Sequence, residues 1–336
     1  MNDILRVGVI GTGVMGRDHA RLLATEISGA RLTAIADVNL DGAREVAERH
    51  GVGAVFSDGS ELMASDLVDA VVIASPDHLH AGTTLAAIDA GLAVLCEKPL
   101  APTVEEAEEV AARHARLERP LVSVGFMRRF DPGYVALRRR LDAGAHGRLL
   151  MSHSVHRNVE AYPGSPSSAT ITNSAVHEID ILPWLTRTPI AEVLWTAGRS
   201  TSLLDERHDP QLLLLRDEAG VLHTVSMQVH AQYGYDVRCE LVCERGSVEL
   251  PNPPALNDDE PLIVSSGLTR SAAYAADWRP RFETAYRREL TAWVRACLAG
   301  TVPEEAATID ESLRTTKIAH ALVASMNDGG WVAVPR

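Results

Sequence analysis

Lysine is almost absent from this chain. Of 32 basic residues among 336 positions, only Lys98 and Lys317 are lysines, and the rest are arginine. Usage this lopsided reflects coding bias, so a lysine that survives it marks a place where losing a proton counts, which arginine cannot do. Cysteine is scarce too. Cys96, Cys239, Cys243 and Cys297 form no CxxC pair, and Cys239 and Cys243 stand close together in a strand-like run. That spacing suits neither zinc nor redox chemistry and points to a reduced, cytoplasmic setting. Positive charge is short as well: 45 acidic against 32 basic residues give a formal net charge of −13. A field of that sign repels phosphate backbones and anionic lipid, which leaves no nucleic acid and no membrane among the expected partners. No apolar run approaches the roughly 20 residues of a membrane span. MND leads directly into a strand pattern, without a charged leader or an apolar signal region. What the chain does hold is an ordinary globular mix, 46% apolar and 23% charged, at about two domains' length.

Along the first 125 residues, short apolar runs alternate strictly with amphipathic stretches. The runs 5–10, 31–37, 54–56, 70–74, 93–96 and 121–125 read as strands, separated by helices. That rhythm calls for a parallel sheet covered on both faces, an α/β doubly wound Rossmann domain over 1–125. Beyond it the rhythm changes. A helix (133–143) precedes strand-like runs near 148–157, 190–201, 211–217, 221–230, 236–242 and 246–250, with a helix at 174–186. Neighbouring strands with turn signals predict a second α/β domain over 126–305, built on an open, mostly antiparallel sheet. Residues 251–277 read as an irregular loop. Two helices, 278–299 and 309–326, close the chain, and 306–336 is taken as a C-terminal helical segment.

Gly11-Thr12-Gly13-Val14-Met15-Gly16 directly follows the first strand and opens a helix, and Asp37 follows 21 residues after the last glycine. GxGxxG alone is weak, but this context is that of a dinucleotide site. Gly11 permits the turn, Gly13 the approach of a pyrophosphate, and Gly16 close helix–strand packing. The helix N-terminus offers N–H groups to the phosphates. Asp37 would bind the ribose hydroxyls and repel a 2′-phosphate, and Val38-Asn39 supplies no arginine to neutralise one; NAD is expected over NADP.

Lys98, in Cys96-Glu97-Lys98-Pro99-Leu100, lies at a strand's carboxyl end, the edge where open α/β sheets bind ligands. A lysine on a loop is ordinarily just solvated, but position and scarcity make this one a candidate for holding a substrate oxygen and exchanging its proton. In the helix predicted at 174–186, Asn173, His177 and Asp180 fall at i, i+4 and i+7 and so share one face. Histidine exchanges protons near neutral pH, and a polar neighbour can fix its tautomer. His177 with Asp180 makes only two ligands, so no metal site is expected.

Taken together, GVIGTGVMGRDHARLL, CEKPL, SVGFMRRFDPGY, HRN, AVHEIDILPWL, YGYDVRCELV and DWRPRFETAYRRELTAW resemble segments of the inositol dehydrogenase and glucose–fructose oxidoreductase family over nearly the whole chain. The resemblance implies an N-terminal Rossmann domain, an open-sheet domain whose outer face forms a homodimer or homotetramer, and last helices that pack back on the Rossmann domain. It implies that the nicotinamide lies between Lys98 and the 173–180 segment. It adds Val14, Met15, Val38, Ser75, His80 and Glu97 to the cofactor site. By the same resemblance Lys98 binds the reacting oxygen and His177 is the general acid/base. Arg128, His156, Asp180 and Tyr235 match positions lining a polyol pocket. One position departs: where the family places an acid four residues before the histidine, this chain has Asn173, which can orient an imidazole but carries no charge. The segment 160–169 departs too.

The reading that results is an NAD-dependent dehydrogenase oxidising a secondary alcohol of a cyclic polyol or sugar, with myo-inositol the leading substrate. An aminocyclitol, amino-sugar or nucleotide-sugar intermediate is the alternative within the class. A non-catalytic NAD-binding sensor is the alternative outside it.

Overall fold

The computed structural model describes residues 4–204, 206–251 and 264–336. They divide into two compact units, Met1–Phe130 with Ala285–Thr316, and Asp131–Thr284 with Lys317–Arg336. The division differs from one read by strand rhythm alone. The helices Trp278–Leu298 and Ile309–Asp328 each contribute residues to both units, and the last twenty residues belong with the second.

The first unit is built on six strands: β1 (Leu5–Ile10), β2 (Ala30–Ala36), β3 (Ala54–Phe56), β4 (Ala70–Ile73), β5 (Ala93–Glu97) and β6 (Val122–Gly125). Their order is β3-β2-β1-β4-β5-β6, every pair parallel. Helices α1 (Val14–Thr25), α2 (Leu40–His50), α3 (Gly59–Met63), α4 (His80–Asp89) and α5 (Val104–His114) connect them. Apolar runs buried on both faces are what a parallel sheet demands, and Val7, Val9 and Ala70 through Ile73 are wholly inaccessible. Local chemistry sets the helix ends. Asn39 caps α2 by accepting from the Gly42 amide, and Thr103 caps α5 by accepting from that of Glu106.

The second unit opens with α6 (Pro132–Asp142), capped by the Asp131 carboxylate. Its main strands are β7 (Leu149–Arg157), β8 (Ile190–Ala197), β9 (Gln211–Asp217), β10 (Leu222–Gln228), β11 (Asp236–Cys243) and β12 (Gly246–Leu250). A hairpin follows, β13 (Val264–Ser266) and β14 (Thr269–Ser271), and the chain ends on β15 (Val332–Ala333). The seven-stranded sheet runs β12-β11-β7-β10-β9-β8-β15. It is antiparallel except where β10 lies parallel to β7. Of the expected irregular stretch 251–277, residues 252–263 lie outside the described residues, and the remainder contains the hairpin. Alternation along β7 buries Ser152, Ser154 and His156 and leaves the residues between them half-exposed.

The predicted helix at 174–186 begins earlier and differently. Ser167–Ala169 forms one helical turn, Thr170–Ala175 is π-helical, and regular α-helix runs over Val176–Thr186. A wider turn of i→i+5 bonds breaks the 3.6-residue register. Asn173 lies in the π-helical turn and is exposed, whereas Asp180 lies in the α-helix and is buried.

Candidate active site

In the first unit the glycine loop has the shape that its sequence implies. Gly11 adopts φ +96°, and a Cβ there would come 2.4 Å from the Ala74 carbonyl oxygen. At Gly16 a Cβ would meet the Gly11 carbonyl oxygen at 1.8 Å, so α1 can sit this close to the loop only as glycine. Gly13 is different: its backbone is extended, and a Cβ would meet nothing within 4 Å. The chain's own packing makes no demand for glycine there, whereas a ligand pressed against the backbone would. The first turn of α1 has neither a side-chain cap nor an acidic residue. Val14 and Val38 are exposed apolar side chains beside it, Met15 is half-buried, and the Ser75 Oγ is buried without a hydrogen-bond partner among the described residues.

Asp37 faces this loop. Its Oδ2 accepts from the Thr12 amide at 2.6 Å and the Thr12 hydroxyl at 2.8 Å, and Oδ1 accepts from the Asn39 amide at 2.8 Å. Burial raises the carboxyl's pKa, but those donors and the charge of Arg17 outweigh it, and the net shift is downward. The group is thus a fixed anion with a lone pair left on Oδ1. Nearby arginines are already engaged, Arg17 with Glu45 at 3.0 Å and Arg44 with Asp41 at 3.1 Å. Bare first-turn amides, an open Gly13, an orphaned Ser75 hydroxyl and an anionic Asp37 fit a dinucleotide without a 2′-phosphate.

Lys98 follows β5, half-buried, with a cis peptide bond to Pro99. Its surroundings are built from buried polar pairs. Glu97 accepts the Lys98 amide through Oε2 at 3.2 Å, while Oε1 lies 2.7 Å from His19 Nε2. His19 and Glu97 are almost fully buried, and the edge of the His19 ring meets Tyr286. His80 is buried as well, with Nδ1 2.7 Å from the Pro99 carbonyl oxygen and Nε2 2.9 Å from that of Ser75. Neither ring nitrogen is left for a ligand. Arg128, in the turn Met127–Phe130, is 1% exposed and belongs to this unit.

The second unit gathers the histidines. The His156 ring, projecting from β7, stands 6.4 Å from His177 and 6.0 Å, edge-on, from Tyr235. Its Nδ1 is 2.9 Å from Glu178 Oε2 and its Nε2 is 3.1 Å from Asn158 Oδ1, and Asn158 in turn donates to the Ser174 hydroxyl at 3.3 Å. His156 and Glu178 are both buried, whereas His177 is half-buried and so reachable by a ligand. Five expected residues, His156, Asn173, His177, Asp180 and Tyr235, therefore lie in this unit, and three of their rings converge. The divergent segment 160–169 is tied down by Arg207, which donates to the Ser165 carbonyl at 3.1 Å and the Thr170 hydroxyl at 2.8 Å.

Two residues of this network escape a reading by spacing. Glu178 sits on the far side of its helix from the stripe of His177, and Asn158 lies in a loop. The available signal was Glu178 itself, a carboxylate on the face of the helix that also carries Ile181, Leu182 and Leu185, which has to find a buried partner.

This architecture matches known proteins end to end. Residues 5–126 fit the family model described as "Oxidoreductase family, NAD-binding Rossmann fold", and residues 134–249 fit the "GFO/IDH/MocA C-terminal domain". The chain belongs to the GFO/IDH/MocA family of oxidoreductases. It is 45% identical over 331 residues to inositol 2-dehydrogenase 2 of Paenarthrobacter aurescens, covering 97% of both chains. To inositol 2-dehydrogenase 1 of Saccharopolyspora erythraea it is 42% identical, over 98% of this chain and 96% of that one. The crystal structure of myo-inositol dehydrogenase from Lactobacillus casei in complex with NAD(H) and myo-inositol superposes with a TM-score of 0.94 at 30% identity, covering 99% of this chain and 97% of the other.

Proposed function

We propose that this protein is an NAD-dependent dehydrogenase that oxidises a secondary alcohol of a cyclic polyol, with myo-inositol its leading substrate and a keto-inositol the product. The observation that carries the reading is similarity to inositol 2-dehydrogenases at 42–45% identity over nearly the full length of both chains. The glycine loop, the α1 N-terminus with Val14 and Met15, and Asp37 with Val38 hold the cofactor, and Ser75 offers its hydroxyl. Glu97 and His80 serve the same site indirectly, through the turn that carries Lys98. When bound, NAD supplies the hydride acceptor.

The rest of the chemistry belongs to the chain. Lys98 hydrogen-bonds the reacting oxygen, and His177 takes the hydroxyl proton as general base. Asn173 orients the imidazole without charging it. Arg128, His156, Asp180 and Tyr235 bind the remaining hydroxyls. No helix among the described residues is long and apolar enough to cross a membrane. A cytoplasmic setting and a homodimer or homotetramer formed through the half-exposed face of the seven-stranded sheet complete the proposal. Size-exclusion chromatography with light scattering tests the latter, and a monomer would remove it.

The deciding experiment is NADH formation at about pH 8–9, where a histidine base is deprotonated, over a panel of inositols, aldoses and aminocyclitols. Turnover of myo-inositol supports the reading. Silence on inositols with turnover of an aminocyclitol or sugar would favour the second reading, in which Asn173 serves a substrate whose own group replaces the missing acid. No turnover at all with intact NAD binding would point to a sensor. For the cofactor, Asp37→Ser removes the anion that excludes a 2′-phosphate, and we expect NADP use relative to NAD to rise about tenfold or more, about 1.4 kcal/mol. An unchanged ratio would show that Asp37 does not select the cofactor.

A further inference from the structure

His80 has no part of its own in the chemistry above, yet its placement is unusual. It opens α4, is 1% exposed, and directs its two ring nitrogens at two backbone carbonyl oxygens, Pro99 at 2.7 Å and Ser75 at 2.9 Å. Carbonyl oxygens only accept hydrogen bonds. A neutral imidazole has one N–H, so one of these short contacts would set a nitrogen lone pair against an oxygen lone pair. Two N–H donors satisfy both. The carbonyls belong to the turns that follow β4 and β5, neighbouring strands of the parallel sheet, at the edge where such sheets bind ligands.

We propose that His80 is a buried imidazolium and a positioning residue: it straps the Lys98–Pro99 turn to the Ser75 turn and so fixes where Lys98 stands. The effect on turnover rests on the dehydrogenase reading above, but the strap itself does not. Burial opposes the charge, but the Cys96 sulfur and the two carbonyl oxygens outweigh it, and the ring's pKa is pushed up to about 10. Among titratable neighbours, Cys96 of β5 acts on the ring directly. Glu97 is bonded to His19, and Asp77 and His78 stand on His80's own turn, His78 exposed.

Three measurements test this. In protein with 15N-labelled histidine, both His80 ring nitrogens should be protonated at about pH 8, where an ordinary histidine is neutral, with the signals assigned by their loss in His80→Phe. If that variant does not fold, His80→Gln, which keeps one donor, serves for assignment. An unprotonated His80 nitrogen at that pH would overturn the imidazolium. Second, the chain's two lysines allow an internal control. Acetic anhydride labelling read by mass spectrometry should give a Lys98-to-Lys317 ratio that differs severalfold between wild type and a folded His80 variant; an unchanged ratio overturns the strap. Third, His80→Phe should lower kcat for polyol oxidation by about tenfold or more through misplaced Lys98, with the dissociation constant for NAD, read by fluorescence, nearly unchanged. Loss of NAD affinity without loss of kcat would instead make His80 a part of the cofactor cradle. If wild type oxidises nothing on the panel, the dehydrogenase reading fails, while the first two measurements still decide the strap.

Discussion

The strands at the centre of the first sheet bury Val7, Val9, Ala70, Val71, Val72 and Ile73 to zero exposure, whereas the inner face of the second carries Ser152, Ser154, His156, His223 and Asp217 at 0–3%. Both sets of residues are shut off from water, but they are chemically different. In the first, the apolar interior is a platform, and the polar groups of the site stand at its edge, on the turns after the strands. In the second, polar groups lie within the sheet and bond to a neighbouring strand or helix: Ser152 to His223 at 2.8 Å, His156 to Glu178 at 2.9 Å. A buried polar group left unpaired costs more than a hydrogen bond returns, so such an interior persists only when its members are matched. The first sheet is therefore most sensitive to lost volume, and the second to a lost hydrogen-bond partner.

The largest test of that contrast lies at the site. His177→Asn removes the proposed base from a half-buried position, and turnover should fall by about 10²–10⁴-fold while the melting temperature changes little. Turnover within about threefold of wild type would move the base elsewhere. On the first sheet the outcome should be inverted. Ile73→Ala leaves a cavity beneath β4 and should cost about 2–5 kcal/mol in denaturant unfolding, with kcat per folded molecule nearly unchanged. On the second sheet, Ser152→Ala removes almost no volume but deprives His223 Nδ1 of its partner, at about 1–3 kcal/mol. If Ser152→Ala is neutral, the polar interior is not matched as described, and the two sheets differ less than their burial suggests.

How much of this was legible in the sequence follows the same division. The first unit is readable because its signals are local: a strand ends in GxGxxG, an acid closes the next strand, and apolar runs alternate with amphipathic ones. Lys98 stands out through the rarity of lysine. In the second unit, Asn173, His177 and Asp180 show a helical spacing, but the π-helical turn at Thr170–Ala175 that carries Asn173 is not legible, because no residue pattern announces i→i+5 bonding. The parallel pairing of β10 with β7 and the bond between His156 and Glu178 depend on strands and helices far apart in the chain. Periodicity reports which face of an element is buried. It does not report what that face meets.

Two buried histidines carry the comparison to its finest point. His156 has a carboxylate at one ring nitrogen and an amide oxygen at the other, whereas both partners of His80 are neutral carbonyls. With its pKa pushed up to about 10 in the folded protein, against about 6.5 in the unfolded chain, His80 binds its proton more tightly when folded. Its contribution to stability is therefore fully present below about pH 6.5 and is lost as pH rises through about 10, by at most about 1.4 kcal/mol per pH unit. Over a single unit above neutrality this is the smallest effect expected here. Unfolding midpoints in urea, followed across that window, should fall more steeply for wild type than for His80→Phe. If the two slopes coincide, the strap holds no extra proton and His80 is an ordinary neutral core histidine.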